Sequence, residues 1–547
     1  MLKSFVHSLL KSAWQELDHS GSDEVIEIEV RRTDRPEFGD FASNIALTGA
    51  SITGMPPREL AQQIINRLSR KGVKRIEVAG PGFINFFLAD EVFHRALRGV
   101  LAAGERFGRS LHGAGKRVQV EFVSSNPTGP LTIGHGRQAV LGDVLASLYE
   151  AIGYQVSREY YFNDEGGQVD MLARSLWARY RQAWGEKESV PEQGYHGEYL
   201  VKIAHDLKAS LQQPFPLFDS ATAQLFKEEA LSRMIASIKE DLALLNVRFD
   251  NWFSEATLHR SGEVKRTLEL LDGKGAIYKK DGATWLAAEE YGGTKDAVLI
   301  RSNGRPTYLM VDIAYHINKW ERKFDHVINV QGADHHAQQA NMKAAMRMLG
   351  YPEDFLAYCL HQFVTIKAKE GVERMSTRAG KFIELRVMIE DLGKDVVRYF
   401  MVARKPESHL ELDYALAKQE TMDNPVYYIQ YSHTRCASIF RKAGNRIPRQ
   451  WDEVDLSLIT QPVELDIICL LDRFPEVVEE AALTFAPHLI AEYALTLAGK
   501  FHRYYTDFRV LTAEQLLTQG RLALLRGVQC VLRQTLRLFK ISAPEEM

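Results

Sequence analysis

The order of hydrophobic patterns between Arg117 and Asp164 constrains this 547-residue chain more than any other feature. In "RVQVEFVSS", Val118, Val120 and Phe122 share one strand face while Glu121 lies on the other. After a polar loop, Val140, Leu141, Val144, Leu145 and Leu148 recur at helical spacing, and the run ends near Gly153. "YQVSREYYFND" is the next strand. Strand, helix, strand is a parallel unit with a right-handed crossover, so a twisted parallel sheet is expected. "HVINVQGADHH" and "AQQANMKAAMRML" repeat the strand and helix further on. In such sheets ligands bind where strands end at their carboxyl edge and loops lead into helices.

A chain of this length should fold as about three to four domains. Residues 1–108 read as a small α/β unit. A helical start leads to the alternating strand "VIEIEVRR", a helix "PRELAQQIINRL" with Pro57 near its start, and a strand pair "IEVAGPGFINFFL" around a Pro-Gly turn. Residues 109–404 hold the parallel sheet, with a polar insertion over about 175–300. From 405 to 547 the alternation gives way to long helical patterns, the signature of a bundle. The fold class is therefore multidomain α/β plus all-α.

No apolar run reaches the roughly 18 residues of a membrane helix, and polar residues interrupt any signal-peptide core at the N-terminus. Cys359, Cys436, Cys469 and Cys530 lie far apart with no CxxC pair, which fits a reducing cytoplasm and argues against zinc. The net charge of −3 does not advertise nucleic-acid binding. Between Phe501 and Lys540, however, seven Arg and Lys residues face only Asp507 and Glu514, enough to steer a phosphate backbone or simply to form a solvated helix face.

The chemistry concentrates in "NPTGPLTIGHGR". Gly134 and Gly136 would let a nucleotide approach the backbone, and a helix start offers free N–H groups to a phosphate. His135 is placed to donate a hydrogen bond to an α-phosphate as its charge grows. Alone, TxGH specifies only a turn. In "VQGADHH" the adjacent Asp334, His335 and His336 diverge and do not make a metal site, whose ligands on a helix would sit three or four apart.

The neighbouring stretches carry a resemblance. "VEFVSSNPTGPLTIGHGR" resembles the catalytic signature of the arginyl-tRNA synthetases, with Thr132 where class I enzymes usually show His. "EYYFNDEGGQV", "GRPTYLMVDIAYH", "VQGADHH", "VERMSTRAGKFIEL", "DVVRYFMV" and "NPVYYIQYSHTRCASIFRKA" follow in that family's order, and "GDFASNIAL" and "GPGFINFFL" fit its additional N-terminal domain. The resemblance implies a Rossmann-like catalytic core, a C-terminal anticodon-binding bundle and an N-terminal contact to the tRNA elbow. It implies arginine–tRNA ligation through arginyl-adenylate, with L-arginine, ATP and tRNA(Arg) as substrates, Mg²⁺ accompanying ATP, and tRNA needed for activation. A cytoplasmic monomer without membrane contact is expected.

The resemblance also assigns residues. Glu121, Tyr308 and Asp312 line the arginine pocket and Asn126 fixes the substrate's backbone end. His135 and Thr132 serve catalysis, while Gly134, Gly136, Gly332, Asp334 and His335 hold ATP. In the stretch that resembles the family's mobile loop, Arg374, Met375 and Ser376 stand where the family has Lys-Met-Ser, and Thr377 replaces its last lysine, with Lys367, Lys369, Arg378 and Lys381 nearby in sequence as substitute charge. Tyr431, Arg503, Tyr504 and Tyr505 are the bundle's candidates for tRNA. Two other readings compete: a non-catalytic paralogue that binds RNA, and a small-molecule nucleotidyltransferase, whose TxGH loop shows that a hydroxyl is acceptable at Thr132.

Overall fold

The computed structural model describes residues 1–17, 26–33, 35–368, 371–373 and 383–547. The N-terminal unit runs α1 (Leu2–Gln15), β1 (Val30–Arg32), β2 (Phe41–Ser43), α2 (Ile45–Thr53), α3 (Pro57–Arg67), β3 (Val73–Ala79), β4 (Phe83–Leu88) and α4 (Asp90–Ala103). Its sheet is antiparallel in the order β1-β2-β4-β3, and Pro57 opens α3 where its missing N–H costs nothing. The strand expected in "VIEIEVRR" is shorter than its alternation implies. Among its described residues only Val30–Arg32 pairs, because its partner β2 is three residues long, while Ile26 and Ile28 pack on the core outside the ladder.

The second unit continues with β5 (Arg117–Glu121), α5 (Ile133–Ala151), β6 (Gln155–Phe162), α6 (Gly167–Ala183), α7 (Glu198–Leu211), α8 (Ser220–Leu244) and β7 (Asn251–Ser254). It proceeds through α9 (Glu255–Arg260), α10 (Glu263–Gly273), β8 (Ile277–Lys280), β9 (Ala283–Leu286), β10 (Ala297–Ile300), α11 (Tyr308–Glu321), β11 (His326–Gly332), α12 (His336–Leu349) and β12 (Leu356–His361). The expected parallel sheet is present, ordered β12-β11-β5-β6-β7 with every pairing parallel. The chain first runs from β5 outward to β7 and later returns to the other side of β5. The order therefore reverses between β5 and β11, where a crevice opens at the carboxyl ends.

The stretch 175–300 is more than an insertion. Helices α6, α7 and α8 bury their own core around Leu176, Trp177, Tyr180 and Phe226, but β7 is the edge strand of the main sheet. Four residues of strand are too few for a periodicity to reveal. The helical region likewise starts later than residue 405. After β13 (Val364–Ala368), β14 (Gly371–Glu373), α13 (Leu385–Leu392) and α14 (Lys394–Val402), the strand β15 (Leu410–Asp413) pairs with β13, and α15 (Tyr414–Ala417) follows. The bundle is α16 (Pro425–Ala443), α17 (Pro462–Leu483), α18 (His488–Asp507) and α19 (Gln515–Leu538).

Buried charge fastens the bundle to the sheet unit. Asp143 on α5 meets Arg158 on β6 at 3.2 Å, Arg398 on α14 at 2.6 Å and Lys540 beyond α19 at 2.5 Å. Those three cations hold its carboxyl below the usual range although burial pushes the other way. Asp472 on α17 likewise binds Arg32 of the N-terminal sheet at 2.9 Å. Among the described residues no helix is long and apolar enough to cross a membrane.

Candidate functional site

Beyond β5 the backbone turns sharply. Val123 and Ser124 adopt φ of 68° and 41°, a region that a β-branched residue enters only under strain. Surrounding contacts hold the turn: Ser124 donates its hydroxyl to Glu121 Oε1 at 3.0 Å and accepts the Tyr161 N–H at 3.2 Å. The loop that follows is gripped by the helices of the 175–300 stretch and its border. Asn126, exposed, donates to Gln168 Oε1 at 2.7 Å, and Tyr199 donates to the Thr128 carbonyl at 2.6 Å.

Thr132 is the N-cap of α5, in extended conformation, and His135 reaches back to it three residues later. His135 Nδ1 accepts the Thr132 N–H at 3.0 Å, with Thr132 Oγ1 at 3.2 Å. This is a capping box in which histidine replaces the usual Glu or Gln. An accepting Nδ1 carries no proton, so the neutral ring is protonated on Nε2, which becomes its donor. Burial lowers the His135 pKa to about 4, so the ring is neutral at pH 7.

The two glycines differ. A Cβ on Gly134 would meet only Thr132 Oγ1, at 3.7 Å, whereas one on Gly136 would stand 2.6 Å from the Leu385 side chain. Gly136 therefore gives its space to α13 packing and not to a ligand. The same junction is sewn by backbone bonds from Leu385 to Leu131 and from Ile133 to Ile383.

Across the crevice, β11 ends at Gly332 and one tight turn, Ala333–His335, leads into α12. The Asp334 carboxylate folds back so closely that a Cβ on Gly332 would lie 2.6 Å from Oδ1. Asp334 is exposed, while the side chain of His335 lies outside what is described. Sequence reasoning missed His361, which pairs with Gly332 at the end of β12. It is buried, its pKa is lowered to about 4 chiefly by that burial, and its Nε2 has no hydrogen-bond partner among the described residues. A lone histidine closing an apolar strand, "LHQF", was the only signal.

The arginine-pocket candidates sit on β5 and α11. Glu121 is buried, and its Oε2 accepts from Lys319 Nζ at 2.5 Å. Tyr308, the first residue of α11, is exposed, and Asp312 one turn on is partly so, with Oδ1 3.2 Å from His316 Nδ1. Beside them Glu159 is saturated by Arg322, Tyr315, Asn251 and Gln119, which removes it as a substrate ligand. Lys319 was also missed, although its i+7 spacing from Asp312 places both on one helix face.

On the bundle, Tyr431 stacks parallel to Tyr427 and to His502, at 6.4 and 5.8 Å. The Arg435 guanidinium lies 5.5 Å from the Tyr431 ring and 4.7 Å from that of Tyr505. Arg503 is exposed. Tyr504 corrects the sequence reading: it is fully buried, donates to Glu464 Oε1 at 3.0 Å and stacks on Phe508, so no base can reach it. The basic edge also shrinks. Four of its seven cations pair internally, Arg521 with Glu464, Arg533 with Glu545, Arg537 with Glu105 and Lys540 with Asp143. Arg374, Met375, Ser376, Thr377, Lys369, Arg378 and Lys381 lie outside the described residues. Lys367, on β13, has Nζ 3.9 Å from Asp413.

Comparison with known proteins extends over nearly the whole chain. Three family models match: "Arginyl tRNA synthetase N terminal domain" over residues 4–88, "tRNA synthetases class I (R), catalytic domain" over 96–419 and "DALR anticodon binding domain" over 429–547. An arginine–tRNA ligase of Thermotoga petrophila is 42% identical over 96% of this chain and 97% of its own. One of Caldanaerobacter subterraneus is 44% identical over 95% and 94%. The fold matches the Thermus thermophilus arginyl-tRNA synthetase with a TM-score of 0.79 over all of both chains, at 24% identity. With both terminal domains and the catalytic unit accounted for, the chain belongs to the arginyl-tRNA synthetases, a class I family.

Proposed function

We propose that the chain is an arginine–tRNA ligase whose chemistry runs through the crevice between β5 and β11. An oxygen of the arginine carboxylate attacks the α-phosphorus of ATP, the bond to the bridging oxygen breaks, and pyrophosphate leaves. A hydroxyl of the terminal ribose of tRNA(Arg) then attacks the arginyl carbonyl, and AMP leaves. No covalent enzyme intermediate is needed, so positioning and charge stabilisation supply the rate. His135 donates from Nε2 to the α-phosphate while remaining neutral throughout. Gly134 and the start of α5 face the phosphates, Asp334 takes the ribose, and Glu121, Asp312 and Tyr308 take the guanidinium, with Asn126 at the substrate's backbone.

The observation that carries this is the tautomer of His135: its Nδ1 is occupied by the backbone of its own helix start, which leaves one oriented donor at the switch point. Among the described residues no three His, Cys, Asp or Glu side chains converge as a metal cage. Mg²⁺ belongs here to the ATP substrate, held by its phosphates and water. The half-exposed rings of Tyr431 and Tyr505 with Arg435 and Arg503 form the anticodon platform, and the N-terminal unit touches the tRNA elbow. The enzyme works as a monomer in the cytoplasm. Pyrophosphate exchange tests the whole assignment: label should enter ATP only with arginine and tRNA(Arg) both present. Absence of exchange with tRNA present, alongside intact tRNA binding, would instead identify a non-catalytic RNA-binding paralogue.

A further inference from the structure

Glu121 and Asp312 are the two ends of one hydrogen-bonded chain through three buried side chains. Lys319, wholly buried, donates from Nζ to Glu121 Oε2 at 2.5 Å and to Asn329 Oδ1 at 3.1 Å, and Nζ lies 4.2 Å from the centre of the Tyr315 ring. Asn329 turns its Nδ2 to His316 Nε2 at 2.8 Å. His316 Nδ1 lies 2.8 Å from the Asp312 carbonyl and 3.2 Å from its Oδ1.

The direction of every bond follows from the lysine. An ammonium has three donors and no acceptor, so the Asn329 atom that meets it is Oδ1, and the amide NH₂ faces His316. A donated N–H makes His316 Nε2 an acceptor, which puts the ring proton on Nδ1 and aims it at Asp312. Without the ammonium the Asn329 amide is free to turn over and present its oxygen to His316 Nε2, which then competes for the ring proton with the Asp312 carbonyl and carboxylate at Nδ1. Lys319 also sets the charge: with Glu121 and Asp312 it sums to one negative charge, the complement of one guanidinium.

We propose that Lys319 is the positioning residue of the arginine pocket, a single buried ammonium that orients Glu121 directly and Asp312 through Asn329 and His316. The inference rests on the assignment of Glu121 and Asp312 to arginine, so its test includes that assignment. KM for arginine and for ATP are measured separately by pyrophosphate exchange in the full-length protein with tRNA(Arg), and the His316 tautomer is read by ¹⁵N NMR of the histidine-labelled enzyme. Lys319→Met should raise KM for arginine about tenfold or more, as expected for losing hydrogen bonds to charged groups, and move KM for ATP less than about twofold. The His316 proton should no longer reside on Nδ1 alone. Asn329→Asp keeps the Lys319 contact but removes the donor to His316, so a smaller rise in arginine KM with the same tautomer change is expected. It carries the test by itself where Lys319→Met does not fold. Equal rises in both KM values, or a rise for arginine with the tautomer unchanged, would overturn the proposal. Glu121→Gln and Asp312→Asn are the controls: if neither raises KM for arginine, the pocket assignment falls, whatever Lys319 does.

Discussion

The crevice between β5 and β11 and the face shared by α16 and α18 are built on opposite plans. In the crevice the polar side chains are held by a second protein group: His135 by the Thr132 backbone, Glu121 by Lys319 and Ser124, Asn126 by Gln168. On the bundle Tyr427, Tyr431 and His502 stack on one another, with Arg435 laid across Tyr431 and Tyr505. The first plan suits a site where charge develops on a few atoms and donors must already point at it. The second suits splayed bases, each offering a π-face and tolerating adjustment. Single substitutions should therefore act steeply in the crevice and gradually on the bundle.

The steepest effect is expected at His135. His135→Ala should lower the rate of pyrophosphate exchange a hundredfold or more, about the loss seen when one transition-state donor is removed. Acid should not help the parent enzyme. With a folded pKa of about 4 against an ordinary 6.5, His135 is neutral in the native state where the unfolded chain binds a proton. Its contribution to stability is thus complete above pH 6.5 and is lost as pH falls through about 4. A rate that rises on acidification from pH 7 would show that an imidazolium, and not the Nε2 donor, does the work.

Next in size is Tyr431→Ala, expected to weaken tRNA(Arg) binding about tenfold, within the range for loss of one stacking platform, while KM for ATP holds. Arg435→Ala should follow it closely, because its guanidinium bridges Tyr431 and Tyr505. Filter binding and exchange kinetics on the same preparations separate the two readouts. A loss from Tyr431→Ala as abrupt as that at His135, or equal losses in tRNA and ATP, would erase the distinction between the two regions.

Where sequence was legible, local pattern and tertiary role coincided. The strand–helix–strand run from Arg117 gave the parallel sheet because its strands are long enough to alternate and its helix is buried along nearly its whole length. β7 and β15, four residues each, have too little pattern to be seen and exist because a neighbouring strand completes their hydrogen bonds. At the candidate site, the helix start at Thr132 was legible from the sequence, and α5 begins there. Lys319, Asn329 and His316 were not legible, since each is a polar residue whose meaning comes from a partner on another element. Tyr504 and Tyr505 show the limit most plainly. They are adjacent, chemically identical, and a helical turn sends one into the core and leaves the other beside Arg435.

Thr132 marks the gentlest expected effect and the finest test of the crevice. Its identity looks like a lost catalytic histidine, but it caps α5 and shares the capping box with His135. Capping residues contribute about 1 kcal/mol, and histidine caps less well. Thr132→His should therefore cost roughly that much stability in denaturant unfolding. The Thr132 N–H that fixes the His135 tautomer belongs to the backbone and survives the substitution. Exchange activity should consequently stay within about tenfold of the parent, well short of the loss at His135. A hundredfold loss would mean that the Thr132 hydroxyl touches the phosphates itself. A gain in rate would mean that the threonine cap was kept for stability where a second imidazole would have served catalysis better.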